Sequence, residues 1–196
     1  MSMLEEENVK TVLVEEVPDA IRIYSAAPQA TKAYKKGFFH VQDISSQLCA
    51  KAIGAQKGER VLDVCSAPGG KTFTVAQLME NKGKIVACDL HPKRAGLVKN
   101  GADRLGLDIV SAMANDATVF NEKLGTFDRI LCDVPCSGLG VIRRKPEIRF
   151  KDPAEIAALP KIQYKIASTS AKYLAEGGTM IYSTCTLSKE ENEQVV

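Results

Sequence analysis

The sequence predicts an α/β domain built on a mostly parallel sheet with helices on both faces. Three observations predict it. From residue 60 onward, short apolar strands alternate with helical segments at the spacing of βαβ units. The first of these strands runs into a turn of small residues, Ala67-Pro68-Gly69-Gly70. Later strands close on aspartates, Asp89 and Asp133. Ligands of open parallel sheets sit beyond the carboxyl ends of the strands, where these residues fall.

The chain has 196 residues, 45% hydrophobic and 26% charged, ordinary for a globular domain and unlike a disordered chain. Its apolar runs are strand-sized, so no helix is expected to span a bilayer. Residues 1–10 are acidic and lack the apolar stretch of a secretory signal. The formal charge of +2 neither requires nor excludes a nucleic-acid partner, so charge placement must decide. Six cysteines occupy positions 49, 65, 88, 132, 136 and 185, without CxxC spacing. No metal site is expected from them. Reduced thiols and a cytoplasmic location are the expectation.

In chain order, 12–17 and 20–24 are β-prone and separated by Pro18-Asp19, and Lys32, Lys35 and Lys36 form a small basic cluster. Residues 43–53 read as a helix with Ile44, Leu48 and Ala52 on one face, ended by Gly54. Strand 60–65 precedes helix 70–79, which Asn81-Lys82-Gly83 stops. Strand 84–88 precedes helix 92–105, with Pro92 in its first turn and Gly106 past its end. Strands 108–112 and 127–132 follow, then a long basic loop, 139–152. Residues 153–158 read as one or two helical turns, and 160–174 as a second helix burying Ile162, Ile166 and Tyr173 before Gly177-Gly178. Strand 179–183 comes next. From Ser188 onward a last helix is expected, with Ser188 and Glu191 as a capping box. An open sheet would gain another strand or two there, so the sheet is expected to be truncated at its C-terminal strands.

The turn after the first strand reads Cys65-Ser66-Ala67-Pro68-Gly69-Gly70-Lys71. A phosphate-binding P-loop would fit Gly70-Lys71-Thr72, but Cys65 stands where its first glycine belongs. The dinucleotide spacing G-x-G-x-x-G is absent. S-adenosylmethionine is the third candidate: paired glycines admit a ligand close to the backbone and Pro68 stiffens the turn. Asp89 could accept the ribose hydroxyls of an adenosine. Asp116, past the third strand, could reach the adenine edge. Each acid alone is weak evidence; their placement at successive strand ends is the stronger signal.

Cys136 and Cys185 each lie just beyond a strand, at the same sheet edge as the cofactor turn. Cys49, Cys88 and Cys132 read as core. A strand-end thiol is usually packing, but two at one ligand edge point to covalent chemistry. Carbon 5 of cytosine is a poor nucleophile until a thiolate adds to carbon 6, and sulfur both adds and leaves well. Positive charge nearby, with Lys71 the candidate, would raise the thiolate fraction. Asp133 could hydrogen-bond the base at nitrogen 3 if one partner carries a proton. In the loop after Gly138, residues 143–151 hold Arg143, Arg144, Lys145, Arg149 and Lys151 with one acid, Glu147. Such a cluster flanking the cleft would hold the phosphates of a nucleic-acid strand, with Arg143, Arg144, Lys145 and Arg149 as contacts.

Three stretches, 63–72 (DVCSAPGGKT), 133–150 (DVPCSGLGVIRRKPEIRF) and 183–196 (STCTLSKEENEQVV), resemble the RNA 5-methylcytosine methyltransferases, and 142–150 resembles most the bacterial 16S rRNA small-subunit methyltransferase B branch. Phe39-His40-Val41-Gln42-Asp43 is similar to the segment before that family's core. The resemblance implies a class I (Rossmann-like) methyltransferase fold with S-adenosylmethionine as cofactor. It implies that Cys185 is the nucleophile and that Cys136 assists release from the product. Cofactor contacts implied are Cys65, Ser66, Ala67, Pro68, Gly69, Gly70, Lys71, Asp89, Asp116 and Asp133. It implies a catalytic domain over 41–196, with 1–40 an extension packed on or near it. The family's N-terminal RNA-binding domain is expected to be absent.

Three rivals differ in their use of sulfur. A DNA cytosine-5 methyltransferase would take Cys136 as nucleophile and leave Cys185 without a task. A ribose 2′-O-methyltransferase could share the Ala-Pro-Gly-Gly turn but needs no thiol. An inactive fragment would bind RNA or a partner without methyl transfer.

Overall fold

The computed structural model describes residues 1–17 and 19–196. Among the described residues, seven strands and six α-helices follow in chain order: α1 Ser2–Glu6, β1 Lys10–Leu13, β2 Ile21–Tyr24, α2 Lys32–Lys35, α3 Ile44–Ala52, β3 Arg60–Asp63, α4 Gly70–Leu78, β4 Lys84–Asp89, α5 Pro92–Leu105, β5 Val110–Ala114, β6 Phe127–Asp133, α6 Pro153–Ala171 and β7 Leu174–Ser183. β3 to β7 form one sheet in the order β5-β4-β3-β6-β7, every pair parallel. The chain winds outward from β3 to β5, then returns to lay β6 on the other side of β3. That reversal opens a crevice at the carboxyl ends of β3 and β6.

Side-chain alternation along the strands builds two cores. Val61, Ile85, Ala87 and Leu131 face Phe73 and Ala76 of α4, Met79 just past its end, and Val98 and Ala102 of α5. Leu62, Val86, Cys88, Ile130 and Cys132 face Ile166 and Ala167 of α6. Both faces of a parallel sheet are thereby covered, which accounts for strands reading as continuous apolar runs. Burial pushes the Cys88 and Cys132 thiols up to about 12, consistent with inert core sulfur.

β1 and β2 form a separate antiparallel pair. Val14, Val17 and Ala20 beside it pack with Ile44 of α3. The Pro18 break expected between these strands lies outside the described residues. The segment after α2 is tied to α5: the Arg104 guanidinium donates to the carbonyls of Tyr34 and Phe39 and stacks 3.7 Å from the Tyr34 ring. Gly37 is required there, because a Cβ would collide with the Arg104 carbonyl at 1.9 Å.

Several elements differ from the sequence expectation. α3 does not present Ile44, Leu48 and Ala52 as one buried face. Ile44 turns to the hairpin, Ala50 and Ile53 enter the main core, and Leu48 is exposed. α6 is continuous through Pro160 rather than split. Ile162 on it is exposed, while Ile166 and Tyr173 are buried as expected. β7 starts at Leu174, not 179: Leu174 pairs with Phe127 and Thr179 with Arg129, so the residues between bulge out. Gly177 adopts φ +75, and a Cβ on Gly178 would meet the Asp128 carbonyl at 2.8 Å, so the glycines mark a bulge and not a helix end. β5 starts two residues late because Val110 donates back to the Leu107 carbonyl in a turn. After Ser188 there is one 3-10 turn, Lys189–Glu191, rather than a capped α-helix.

Candidate active site

The register of β6 against β7 sets the site. Asp133 lies opposite Ser183 at the ends of the two strands. Beyond them the chains turn over the sheet, and the Sγ atoms of Cys136 and Cys185 meet at 3.1 Å. The Cys185 N–H also donates to the Cys136 sulfur at 3.2 Å. The Cys185 carbonyl accepts from the Gly140 N–H at 3.0 Å, so its backbone is held on both sides. Lys71, one residue into α4, reaches Asp133 Oδ2 at 2.7 Å, and the Ser183 hydroxyl donates to Asp133 Oδ1 at 2.7 Å. Burial opposes charge on Lys71, but Asp133 overrides it and holds the ammonium above its usual range.

The two thiols are driven apart. A hydrogen bond from Cys136 lowers Cys185 to about 6, with Lys71 and Lys145 helping against burial and Asp133. The same bond, with burial, pushes Cys136 well above an ordinary thiol. At neutral pH the arrangement holds one thiolate and one thiol. Cys185 is exposed and Cys136 half-buried. A cavity of about 270 Å³ opens on Cys185, Lys71 and Asp133, rimmed by Ser45, Ser46 and Arg144. A larger groove of about 880 Å³, between β2, α3 and α4, contains neither thiol and neither Lys71 nor Asp133.

The cofactor turn leaves β3 after Asp63. Ser66 bonds the Cys88 carbonyl through both its N–H and its hydroxyl, locking the turn onto β4. Gly69 has φ +111, and a Cβ there would strike the Phe73 ring at 2.3 Å, so this position must be glycine. Asp89, 4% exposed, accepts from the N–H groups of Ala67 and His91 and pairs with Arg94. Asp63 is buried, accepts from the Thr72 hydroxyl at 2.6 Å, and leaves Oδ1 without a partner. Burial raises its carboxyl to about 7. Asp116 is exposed beyond β5 and bonds the N–H and hydroxyl of Thr118. The turn, Asp89 and Asp116 thus occupy the carboxyl ends of three adjacent strands, a cradle whose glycine and acid pattern fits an adenosine-bearing cofactor.

In the basic loop, Arg143, Arg144, Lys145 and Arg149 are all exposed. Arg144 pairs with Asp43 and Arg149 bonds the Pro146 carbonyl. Lys151 turns inward instead and donates to the carbonyls of Ser137 and Cys136. Sequence reasoning missed Ser183, Gly140, Asp43 and Lys151, whose parts appear only once the strands are in register. It also misassigned Glu191, which is buried and accepts the Ser137 N–H rather than capping a helix.

The fold is that of the class I S-adenosylmethionine-dependent methyltransferases. Residues 50–196 match the family described as 16S rRNA methyltransferase RsmB/F, and the chain belongs to that family. It is 44% identical over 181 residues to a probable ribosomal RNA small subunit methyltransferase B of Bacillus subtilis, covering 91% of this chain and 40% of the relative. It is 34% identical to the ribosomal RNA small subunit methyltransferase B of Klebsiella pneumoniae, covering 100% of this chain and 46% of the relative. The chain therefore spans less than half the length of these relatives. Among solved structures it resembles NSun6 from Pyrococcus horikoshii with SFG, at 35% identity and TM-score 0.79, over 89% of this chain and 44% of that one. A methyltransferase homolog from Pyrococcus horikoshii aligns at 30% identity and TM-score 0.83, over 99% and 62%.

Proposed function

We propose that the protein transfers a methyl group from S-adenosylmethionine to carbon 5 of a cytidine in RNA, with 16S rRNA the substrate, by covalent cysteine catalysis. The observation that carries this reading is the pair of sulfurs 3.1 Å apart, Cys136 standing behind Cys185 and Cys185 opening on the cavity it shares with Lys71 and Asp133. A ribose methyltransferase has no use for such a pair.

When bound, S-adenosylmethionine supplies an electrophilic methyl carbon. Residues 65–71 would hold it, with Asp89 on the ribose and Asp116 toward the adenine. The cavity of about 270 Å³ suits a single base rather than a larger ligand. There the Cys185 thiolate adds to carbon 6 of the cytosine, and carbon 5 gains the electron density to attack. Asp133, fixed by Lys71 and Ser183, would hydrogen-bond the base at nitrogen 3 when one partner carries the proton. Once Cys185 is bonded to carbon 6 it no longer accepts from Cys136. The largest cause holding Cys136 protonated is then gone, so this thiol can release its proton to water and, as thiolate, take the carbon-5 proton while the carbon 6–sulfur bond to Cys185 breaks. Arg143, Arg144, Lys145 and Arg149 would position the strand through its phosphates.

The reading places the catalytic domain at 41–196, with 1–40 as an extension, in the cytoplasm, where thiols stay reduced. Transfer from labelled S-adenosylmethionine to rRNA, with mapping of the product base, tests it. 5-Methylcytidine is expected; label on a ribose oxygen would overturn it.

A further inference from the structure

The 3-10 turn Lys189–Glu191 and the residue after it carry two adjacent polar side chains that reach opposite ways. Glu191 is 1% exposed. Its Oε2 accepts from the Ser137 N–H at 2.8 Å and from Gln163 Nε2 at 2.9 Å. Gln163, fully buried on α6, donates from the same nitrogen to the Pro135 carbonyl at 3.0 Å. The residues on either side of Cys136 are thus both held. Asn192 serves the other loop. Its Oδ1 accepts from the Thr184 hydroxyl at 2.7 Å, and its Nδ2 donates to the carbonyls of Ser188 at 2.7 Å and Thr186 at 3.4 Å. Thr184 and Thr186 flank Cys185. The Ser137 hydroxyl joins the two loops by donating to Thr186 Oγ1 at 2.8 Å. Tyr182 donates to the Glu191 carbonyl at 2.8 Å and fixes the turn to β7.

A buried carboxylate is a costly way to fill space, because an apolar side chain of similar volume often packs as well or better. Here its Oε1 has no partner at all. Its geometry, however, is directional, and a thiol–thiolate bond depends on direction and distance. We propose that Glu191 and Asn192 are positioning residues, a two-armed clamp that holds the Pro-Cys loop and the Thr-Cys loop at the separation the thiol pair requires. The inference rests on the two-thiol reading above. A displacement of about 1 Å in such a site can cost on the order of a hundredfold in rate.

The test reads the thiol pair without RNA or cofactor. Cys185 is faced by Cys136, Lys71, Asp133 and Lys145, and of these only Cys136 is held by the clamp. The full chain and its variants are alkylated with iodoacetamide across pH, with Cys185 resolved by peptide mass spectrometry and a melting curve taken for each. The parent midpoint is expected at about 6. Cys136→Ala should raise it toward the ordinary thiol value of about 8.5. Glu191→Ala and Asn192→Ala should each raise it by about one unit or more while remaining folded. Glu191→Gln keeps an oxygen for the Ser137 N–H and should restore the parent midpoint. If Cys136→Ala moves the midpoint but folded Glu191→Ala and Asn192→Ala do not, the clamp is wrong and the thiol pair stands. A rise in Glu191→Gln equal to that in Glu191→Ala assigns the effect to charge and overturns the clamp. If Cys136→Ala leaves the midpoint in place, the thiol-pair reading fails and the clamp falls with it. Should Glu191→Ala lose its cooperative melt, the half-buried Asn192 decides the matter through Asn192→Ala.

Discussion

The sulfurs of Cys136 and Cys185 lie 3.1 Å apart, although 49 residues separate them in the chain. That is well beyond the ~2.05 Å of a disulfide and within reach of a thiol donating to a thiolate. Parallel pairing of β6 with β7 creates the contact, because it aligns the two strand ends from which both loops spring. The shared proton gives the sulfurs unequal character, and the proposed division of labour follows from that inequality.

Cofactor binding should depend on Asp89. Asp89→Ala removes a carboxylate whose charged hydrogen bonds are worth about 1.5–3 kcal/mol each. Titration with S-adenosylmethionine should show affinity lost by tenfold or more on that scale, about 1.4 kcal/mol per decade. Asp89→Asn keeps an acceptor for one of the two N–H groups, Ala67 on Oδ2 or His91 on Oδ1, so a melting curve beside each titration separates loss of the ligand contact from loss of the turn. Unchanged affinity in Asp89→Ala would remove Asp89 from the site.

Neutralising Arg143, Arg144 and Lys145 together should weaken RNA binding and flatten its dependence on log salt by up to ~0.7 per lost phosphate contact. Arg144 already pairs with Asp43, so it should contribute least of the three. An unchanged slope would make the cluster a solvated face.

Asp63 predicts a pH dependence of stability. Its carboxyl lies at about 7 in the folded protein against 3.8 in the free side chain. Folding therefore takes up a proton between these values. The contribution is fully present below pH 3.8 and is lost as pH rises to about 7. Asp63→Asn retains an acceptor for Thr72 without titrating. Its stability relative to the parent should rise across this window, by at most about 4 kcal/mol, then level off. Urea melts at several pH values check it; a constant difference would show that Asp63 does not titrate there.

Gly140 is needed for its missing side chain. A Cβ would stand 2.9 Å from the Cys185 carbonyl oxygen, which the Gly140 N–H itself binds. Gly140→Ala should displace the Cys185 backbone and reduce methyl transfer on the order of tenfold or more, leaving cofactor affinity intact. Rates measured beside a cofactor titration would show it. A parent-like rate would mean the loop accommodates the methyl.

The sheet was legible in the sequence because parallel strands buried on both faces leave apolar runs, with glycine and proline marking the intervening helices. Cys136, Cys185 and Asp133 were legible as strand-end residues, since chain direction in a parallel sheet sends every such end to one edge. What remained hidden depends on tertiary register. Pro160 reads as a break, yet packing of Ile166 and Ala167 against the sheet carries α6 through it. Gly177-Gly178 reads as a helix stop, but it forms a bulge whose pairing begins earlier. Glu191 three residues past Ser188 satisfies a capping pattern, and nothing local reveals that the carboxylate is drawn inward to a backbone N–H 54 residues away.

The central claim is that Cys185 attacks and Cys136 releases. Its most direct measurement is a denaturing gel of each cysteine variant incubated with rRNA and S-adenosylmethionine, using a chain that transfers methyl groups. Cys136→Ala should accumulate a shifted, nuclease-sensitive band, because the methylated base stays bonded to Cys185. Cys185→Ala should give no such band and no methyl transfer. A trapped adduct in Cys185→Ala, with none in Cys136→Ala, would contradict the account.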